Sequence, residues 1–421
     1  MPSSQASFLS EFLFEFRKLT ITQKWIYFLY AFLLCIDVRG VFHAIGSRIG
    51  LGGYPEVVDS LITVVAVIGS IGIFYKHIQI KDIILLVLIA IFHKVSSIWF
   101  PMTAAYSGEN ASLFIWSSLP MFLVGLTINR KSSPVIFCGI GYIALFLLLF
   151  TMSVTGLFSK SDSDEIDAIS RAYNFLPFAL LLLWYAMSRG GLFNWLVAII
   201  SVFLVFSMGT RGPVVCLIAF IALYLFFFKT YRHNYLVKSL IVTIAFVIYA
   251  FSLEIAVFFS YIASSLGLST RVFNHIVEGQ MVTMESSSNR DVLYSDVFNY
   301  LTNHSVYFGE GLYSDRYITG VDAYVHNFEL EMWCAFGLIG GTIMLLLIFI
   351  FIGKAFINSK GTQAVIILLA FFCTSMIGAQ FSGSFLTSSV MWLFFGMCAS
   401  MYRNKDKVGM TVGKKVLTTS I

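Results

Sequence analysis

The stretch AYVHNFELEMWCAFGLIG, residues 323–340, places His326 and the carboxylates Glu329 and Glu331 where a long polar segment runs into apolar sequence. Titratable groups are costly at the mouth of a membrane helix unless something satisfies or uses them. A histidine there could act as a general base, ligate a metal, or be a polar residue satisfied at an interface. If a helix starts near residue 326, His326, Glu329 and Leu330 share a face at i, i+3 and i+4. A metal site has little to build on, because HExxH and HxH pairs are missing and His43, His275 and His304 are scattered. A Ser-His-Asp hydrolase would need a GxSxG elbow, which the chain lacks. A glycosidase needs two poised carboxylates about one sugar, whereas Glu329 and Glu331 point to different helical faces. What remains is a lone histidine as base, near arginines that could hold an anionic leaving group.

Those arginines sit in two settings. Arg211 lies in FSMGTRGPVV, flanked by Gly209, Gly212 and Pro213 between two apolar runs. Glycine lets a backbone approach a ligand, and proline suits the first turn of the helix that follows. Arginine's forked donors could grip an anion there, beside the amides of a helix N-terminus. The alternative is an interfacial arginine reaching lipid headgroups. Arg290 opens SSSNRDVLYSDVFNYLTNH, where Val292, Leu293, Val297 and Leu301 have helical spacing and suggest a helix at the membrane surface. It could equally pair with Asp291 or Asp296. Gly309-Glu310-Gly311 then predicts a tight turn. The DxD pattern at Asp162–Asp164 reads as a solvated acidic loop rather than a nucleotide-sugar site, because no strand-helix alternation surrounds it.

The elements that must carry these residues are apolar. The 421 residues are 58% hydrophobic and 12% charged, with a mean hydropathy of +0.85, where soluble domains carry about 25% charged residues. Runs able to cross about 30 Å of hydrocarbon lie at 21–42, 57–75, 82–100, 111–128, 134–152, 172–188, 191–208, 212–229, 236–258, 330–352, 363–382 and 385–402. As one helix, 191–229 would be about 58 Å long, so the breakers in Gly209–Pro213 must divide it. Cys35, Cys138, Cys216, Cys334, Cys373 and Cys398 lie in or beside apolar runs and read as small hydrophobes. The N-terminus lacks a cleavage site after a short apolar core and reads as a tail.

Charge sets the expected orientation. With the N-terminus in the cytoplasm, 18 of the 27 Lys and Arg fall on inner segments and 8 on outer ones, while Lys94 lies within a span. This fits the positive-inside rule. The expectation is an all-α polytopic membrane protein forming one integral membrane domain, 1–421, with about twelve transmembrane helices. Residues 1–24 and 403–421 are then cytoplasmic tails, and 259–329 is one large outer loop, too long for a mere connector. Arg211, Arg290 and His326 all share the outer face. The net charge of +5 is spread by this asymmetry and calls for no nucleic acid. No internal repeat of the kind found in many transporters is visible.

In their order, these pieces resemble the O-antigen polymerase and ligase superfamily. Its pattern is Ser/Thr-Arg-Gly between two spans, a long periplasmic loop with a second arginine, a Gly-x-Gly turn, and His-Asn-x-x-Leu-Glu running into a span with Gly-Leu-Ile-Gly. This chain supplies Thr210-Arg211-Gly212, Arg290, Gly309-Glu310-Gly311, His326 to Glu331 and Gly337-Leu338-Ile339-Gly340. Glu329 is an extra acid within the fourth motif, and the motif-bearing part covers about a third of the chain, 207–345. The resemblance implies a C-type glycosyltransferase architecture in the bacterial inner membrane, with neither nucleotide sugar nor metal cofactor. It implies a donor glycan on undecaprenyl diphosphate, His326 as base, and Arg211 and Arg290 on the diphosphate. Arg271 would be a further cation, Asn327 would orient His326 or a sugar hydroxyl, and Glu329 would lie at the substrate. A partner that sets chain length is implied as well. Polymerase is favoured over ligase because the long aromatic, acid-bearing loop suits a tailored sugar acceptor. A flippase would line its spans with charge, whereas Asp37, Arg39 and Glu254 lie near span ends and only Lys94 sits inside one.

Overall fold

The computed structural model describes residues 8–25, 27, 78–155, 163–207, 212–227, 252–265, 290–304, 306–320 and 325–417. Among them every regular element is helical, and no strand occurs. In chain order the helices are α1 (Phe8–Lys18), α2 (Ile80–Trp99), α3 (Ala104–Leu113), α4 (Leu119–Thr127), α5 (Pro134–Thr155), α6 (Ser163–Arg189) and α7 (Leu192–Ser207). There follow α8 (Gly212–Phe227), α9 (Ser252–Ser265), α10 (Arg290–Asn303), α11 (Ser314–Thr319), α12 (Phe328–Ser359), α13 (Ala364–Phe372) and α14 (Ser389–Leu417). The apolar runs from 82 onward fall on helices, and the run at 236–258 is described only from residue 252. The expected spans at 21–42 and 57–75 lie, apart from residues 21–25 and 27, outside the described residues. Among the described residues two helices, α2 and α12, are long and apolar enough to cross a membrane.

Local chemistry explains the boundaries. Gln79 caps α2 in a reciprocal box in which its backbone N–H donates to Asp82 Oδ2 at 2.8 Å. Pro101 stops α2 and opens a short 3-10 turn. Gly190 and Gly191, at φ 68° and 89°, make the tight link between α6 and α7. The break expected near Gly209–Pro213 falls between α7 and α8, while Gly209, Thr210 and Arg211 lie outside the described residues. Cys138, Cys216, Cys334, Cys373 and Cys398 are unbridged and buried.

The chain divides into two compact units. One contains α5, apart from Pro134–Ile136, with α6 to α9. There α6 and α7 meet through Leu183, Ala186 and Ala198, and Gly141 of α5 leaves room for the side chains of Phe178 and Leu182. The other contains α1 to α4 and α10 to α14, and it positions the site. In it α4 and α14 cross backbone to backbone at Gly125 and Gly396. A Cβ on Gly125 would strike the Leu393 carbonyl, and one on Gly396 would strike the Phe122 carbonyl. Close approach of this kind holds helices together even where burial from water contributes little. Trp392 packs edge-on to Phe114 and Phe122 and donates its indole N–H to the carbonyls of Phe385 and Leu386.

α12 is broken. Gly337 has φ 78° and ψ 170°, so the intrahelical ladder is interrupted there. Backbone groups freed in a buried setting need other partners. The segment Val306–Glu310 supplies them: Leu338 N–H donates to the Val306 carbonyl at 3.0 Å, Ile339 N–H to Tyr307 at 3.3 Å, and Glu310 N–H to Cys334 at 3.0 Å. Gly309 faces Gly337 across this seam, and a Cβ on either would run into the other segment's backbone. The Gly309-Glu310-Gly311 turn expected from the sequence is instead a docking strip that seals the break in α12, and the turn falls just after it at Leu312–Tyr313.

Candidate active site

α10 presents Val297 and Leu301, both fully buried, to Val306, Val325, Leu330 and Cys334. This small core fixes the chain entering α12. Asn327, extended at φ −144°, caps the helix by accepting the Leu330 N–H on Oδ1 at 2.9 Å. Because the helix begins at Phe328, His326 lies outside it and does not share the face of Glu329 and Leu330. It takes the left-handed conformation instead, at φ 55°. For a residue other than glycine this costs about 1–2 kcal/mol, so its surroundings must hold it there.

Two hydrogen bonds bracket the histidine. Upstream, Val325 N–H donates to Asp315 Oδ2 at 2.9 Å, and downstream the Tyr294 hydroxyl donates to the His326 carbonyl at 3.3 Å. The His326 side chain is half-buried. Asn327 and Glu329 are tied together through Gln380, which accepts from Asn327 Nδ2 at 3.3 Å and donates to Glu329 Oε1 at 2.9 Å. The extra acid of the motif thus has a structural partner on the segment after α13.

Glu331 turns the other way and is buried. Its carboxylate accepts from the Ser384 hydroxyl and from Phe385 N–H, the latter at 2.9 Å. This joins the first turn of α12 to the loop before α14. A carboxylate buried in this way is stable only while its donors stay in place.

Beside it, the segment 313–316 carries a second polar group. Asp315 is fully buried, and among the described residues its Oδ1 has no hydrogen-bond partner. Burial pushes the Asp315 carboxyl above the ordinary carboxylate range, against the opposing pull of the Val325 N–H and Arg316. The Arg316 guanidinium lies 5.2 Å from the Tyr313 ring centroid and 5.7 Å from that of Tyr106. His93 of α2 packs between Phe114 and Tyr313, at 5.3 and 5.8 Å, with neither ring nitrogen hydrogen-bonded among the described residues.

The raised Asp315 carboxyl has a signed consequence. Its neutral form is favoured by folding, so the stability it contributes is complete below the ordinary carboxylate value and lost as pH rises through the raised one. Asp315→Asn keeps an acceptor for Val325 and stays neutral. Its Tm should fall less than the wild type's as pH rises above the ordinary carboxylate value of about 4, as read by thermal unfolding of both proteins in the same detergent. An equal or steeper fall would contradict the assignment.

Arg211 and Arg271 lie outside the described residues. Arg290 is the first residue of α10, and the structure describes its backbone only. The described site therefore brings together His326, Asn327, Glu329 and Glu331 from the sequence reading, and adds Asp315, Tyr294, Gln380 and Ser384. The sequence carried a signal for some of them, since Glu331 in an apolar run needs donors and GAQFSGSF is an unusually polar end to the next run. Among the described residues no group of three or more His, Cys, Asp or Glu side chains could hold a metal ion. No family model matches the chain, and no curated protein or solved structure matches it either.

Proposed function

We propose that the chain is a surface-polysaccharide (O-antigen) polymerase of the bacterial inner membrane, a metal-independent glycosyltransferase with both termini in the cytoplasm. It transfers a growing glycan from undecaprenyl diphosphate to a lipid-linked repeat unit at the periplasmic face. The observation that carries the reading is the ordered series from Thr210-Arg211-Gly212 through Arg290 and Gly309-Glu310-Gly311 to His326-Asn327, all expected on one side of the bilayer. The exposed apolar flanks of α2 and α12 also favour lipid surroundings, because a soluble core helix would bury them. Ile84, Leu88 and Ile91 of α2, and Ile343, Leu346 and Ile350 of α12, are all more than half exposed.

In this mechanism His326 takes the proton from an acceptor sugar hydroxyl as its oxygen attacks the anomeric carbon of the donor. The bond from that carbon to the diphosphate oxygen breaks, and the diphosphate leaves carrying the electron pair. Arg211 and Arg290 hold its growing charge through charge-assisted hydrogen bonds, with Arg271 as a further cation. A ligase would run the same chemistry onto lipid A-core.

A deletion strain separates these readings. Loss of a polymerase leaves core plus one repeat on a lipopolysaccharide gel, and that pattern is expected here. Bare core would indicate a ligase, and repeat-unit lipid held on the cytoplasmic side would indicate a transporter. An unaltered ladder would contradict the proposal outright.

A further inference from the structure

The residue that the site geometry leaves without a role is Asp315. It sits in α11, separated from His326 by a connection that returns to the same place, and it is fully buried. One carboxyl oxygen takes the Val325 N–H at 2.9 Å, which closes that connection immediately before the histidine. Val325 itself is fully buried against Val297, Leu301, Val306, Leu330 and Cys334, so the carboxyl holds a backbone that is already wedged into a core.

The Val325 N–H lies in the peptide plane preceding Val325, so the carboxyl anchors the chain one residue upstream of the plane whose rotation sets φ at His326. That φ is 55°, a conformation the residue does not favour by itself. The Tyr294 hydroxyl holds the following plane through the His326 carbonyl, and Asn327 is fixed by its own capping bond. Removing the Asp315 oxygen would leave the buried Val325 N–H without its acceptor, so that Val325 shifts and carries the adjoining His326 with it.

We propose that Asp315 is a positioning residue for His326, its carboxyl anchoring the residue immediately before the histidine and so the point from which the imidazole is aimed. The effect on catalysis rests on the reading of His326 as base, whereas the effect on the imidazole's placement does not. A group displaced by about 1 Å can cost on the order of 100-fold in rate. Val325 N–H needs only an oxygen acceptor, so a neutral amide of the same shape should serve as well as the acid.

The test uses the full-length protein in proteoliposomes, with Asp315→Ala and Asp315→Asn. Two readouts are taken: kcat and KM for lipid-linked repeat units, and the rate at which diethyl pyrocarbonate labels His326, followed by mass spectrometry. Asp315→Ala is expected to lower kcat roughly 10- to 100-fold with KM within about twofold, and to change the labelling rate at His326. Asp315→Asn is expected to restore both. Wild-type kcat and labelling in Asp315→Ala would overturn the proposal, and so would a kcat in Asp315→Asn as low as in the alanine variant. If Asp315→Ala does not yield a monodisperse protein, Asp315→Asn decides, its wild-type labelling supporting the proposal and altered labelling overturning it. Altered labelling in Asp315→Ala, together with activity that survives loss of the His326 imidazole, would uphold the positioning role while removing the base assignment.

Discussion

A Gly337→Ala variant is expected to reach only a small fraction of the wild-type level of folded protein, measured as the monodisperse peak after detergent extraction. Two penalties coincide at this position. The backbone stands at φ 78° and ψ 170°, a region open essentially to glycine alone. A Cβ would also enter the space of the Tyr307 carbonyl and the Gly309 amide. Neither can retreat, because Tyr307 is bonded to Ile339 and its neighbour Val306 to Leu338. Strain and overlap together should cost on the order of 3 kcal/mol or more, a large part of the stability of an ordinary domain. Gly353 provides the control, since it lies in the same helix and a Cβ there meets nothing within 4 Å. Gly353→Ala should therefore be neutral or slightly stabilising, by up to about 1 kcal/mol. Equal accumulation of Gly337→Ala and Gly353→Ala would show that the seam between Val306–Glu310 and α12 is dispensable.

The second large effect is at His326. Replacement by alanine would confound two losses, the imidazole and the tolerance of a left-handed backbone. Asparagine visits that conformation more readily than most residues and cannot take a proton at neutral pH. His326→Asn is therefore expected to fold and insert like the wild type while losing chain extension by about 100-fold or more, the usual contribution of a general base. The bonds around it, Asp315 to Val325 and Tyr294 to the His326 carbonyl, involve the backbone and survive the change.

The distance over which a contact acts explains which features the sequence makes legible. Helix positions are readable because the apolar runs are long and their ends carry local signals such as Pro101, Pro134 and the Gly190-Gly191 pair. The helix at Arg290–Asn303 is readable for the same reason, and Val297 and Leu301 are its buried positions, although Val292 faces out. The break at Gly337 is not readable, since nothing inside the apolar run 330–352 marks it. Its cause is the strip Val306–Glu310, which lies nearly thirty residues upstream. The donors to Glu331 come from Ser384 and Phe385, more than fifty residues on, so the carboxylate looks like a stray charge until the chain is folded. Asp315 is hidden differently. Written as YSDRY, it resembles a solvated loop acid, yet it is among the most buried side chains of its unit. His326 was legible as a residue and not as a conformation, because its left-handed φ goes against its own preference and the partner of its carbonyl, Tyr294, lies 32 residues upstream.

The central claim is that this chain forms glycosidic bonds from a polyprenyl-diphosphate donor with His326 as base. Purified protein in proteoliposomes, supplied with undecaprenyl-diphosphate-linked repeat units and a metal chelator, tests it most directly. The account predicts a ladder of lengthened glycans with the wild type and no ladder with His326→Asn at matched protein. A wild type that makes no ladder, or a His326→Asn variant that makes the same one, would contradict it.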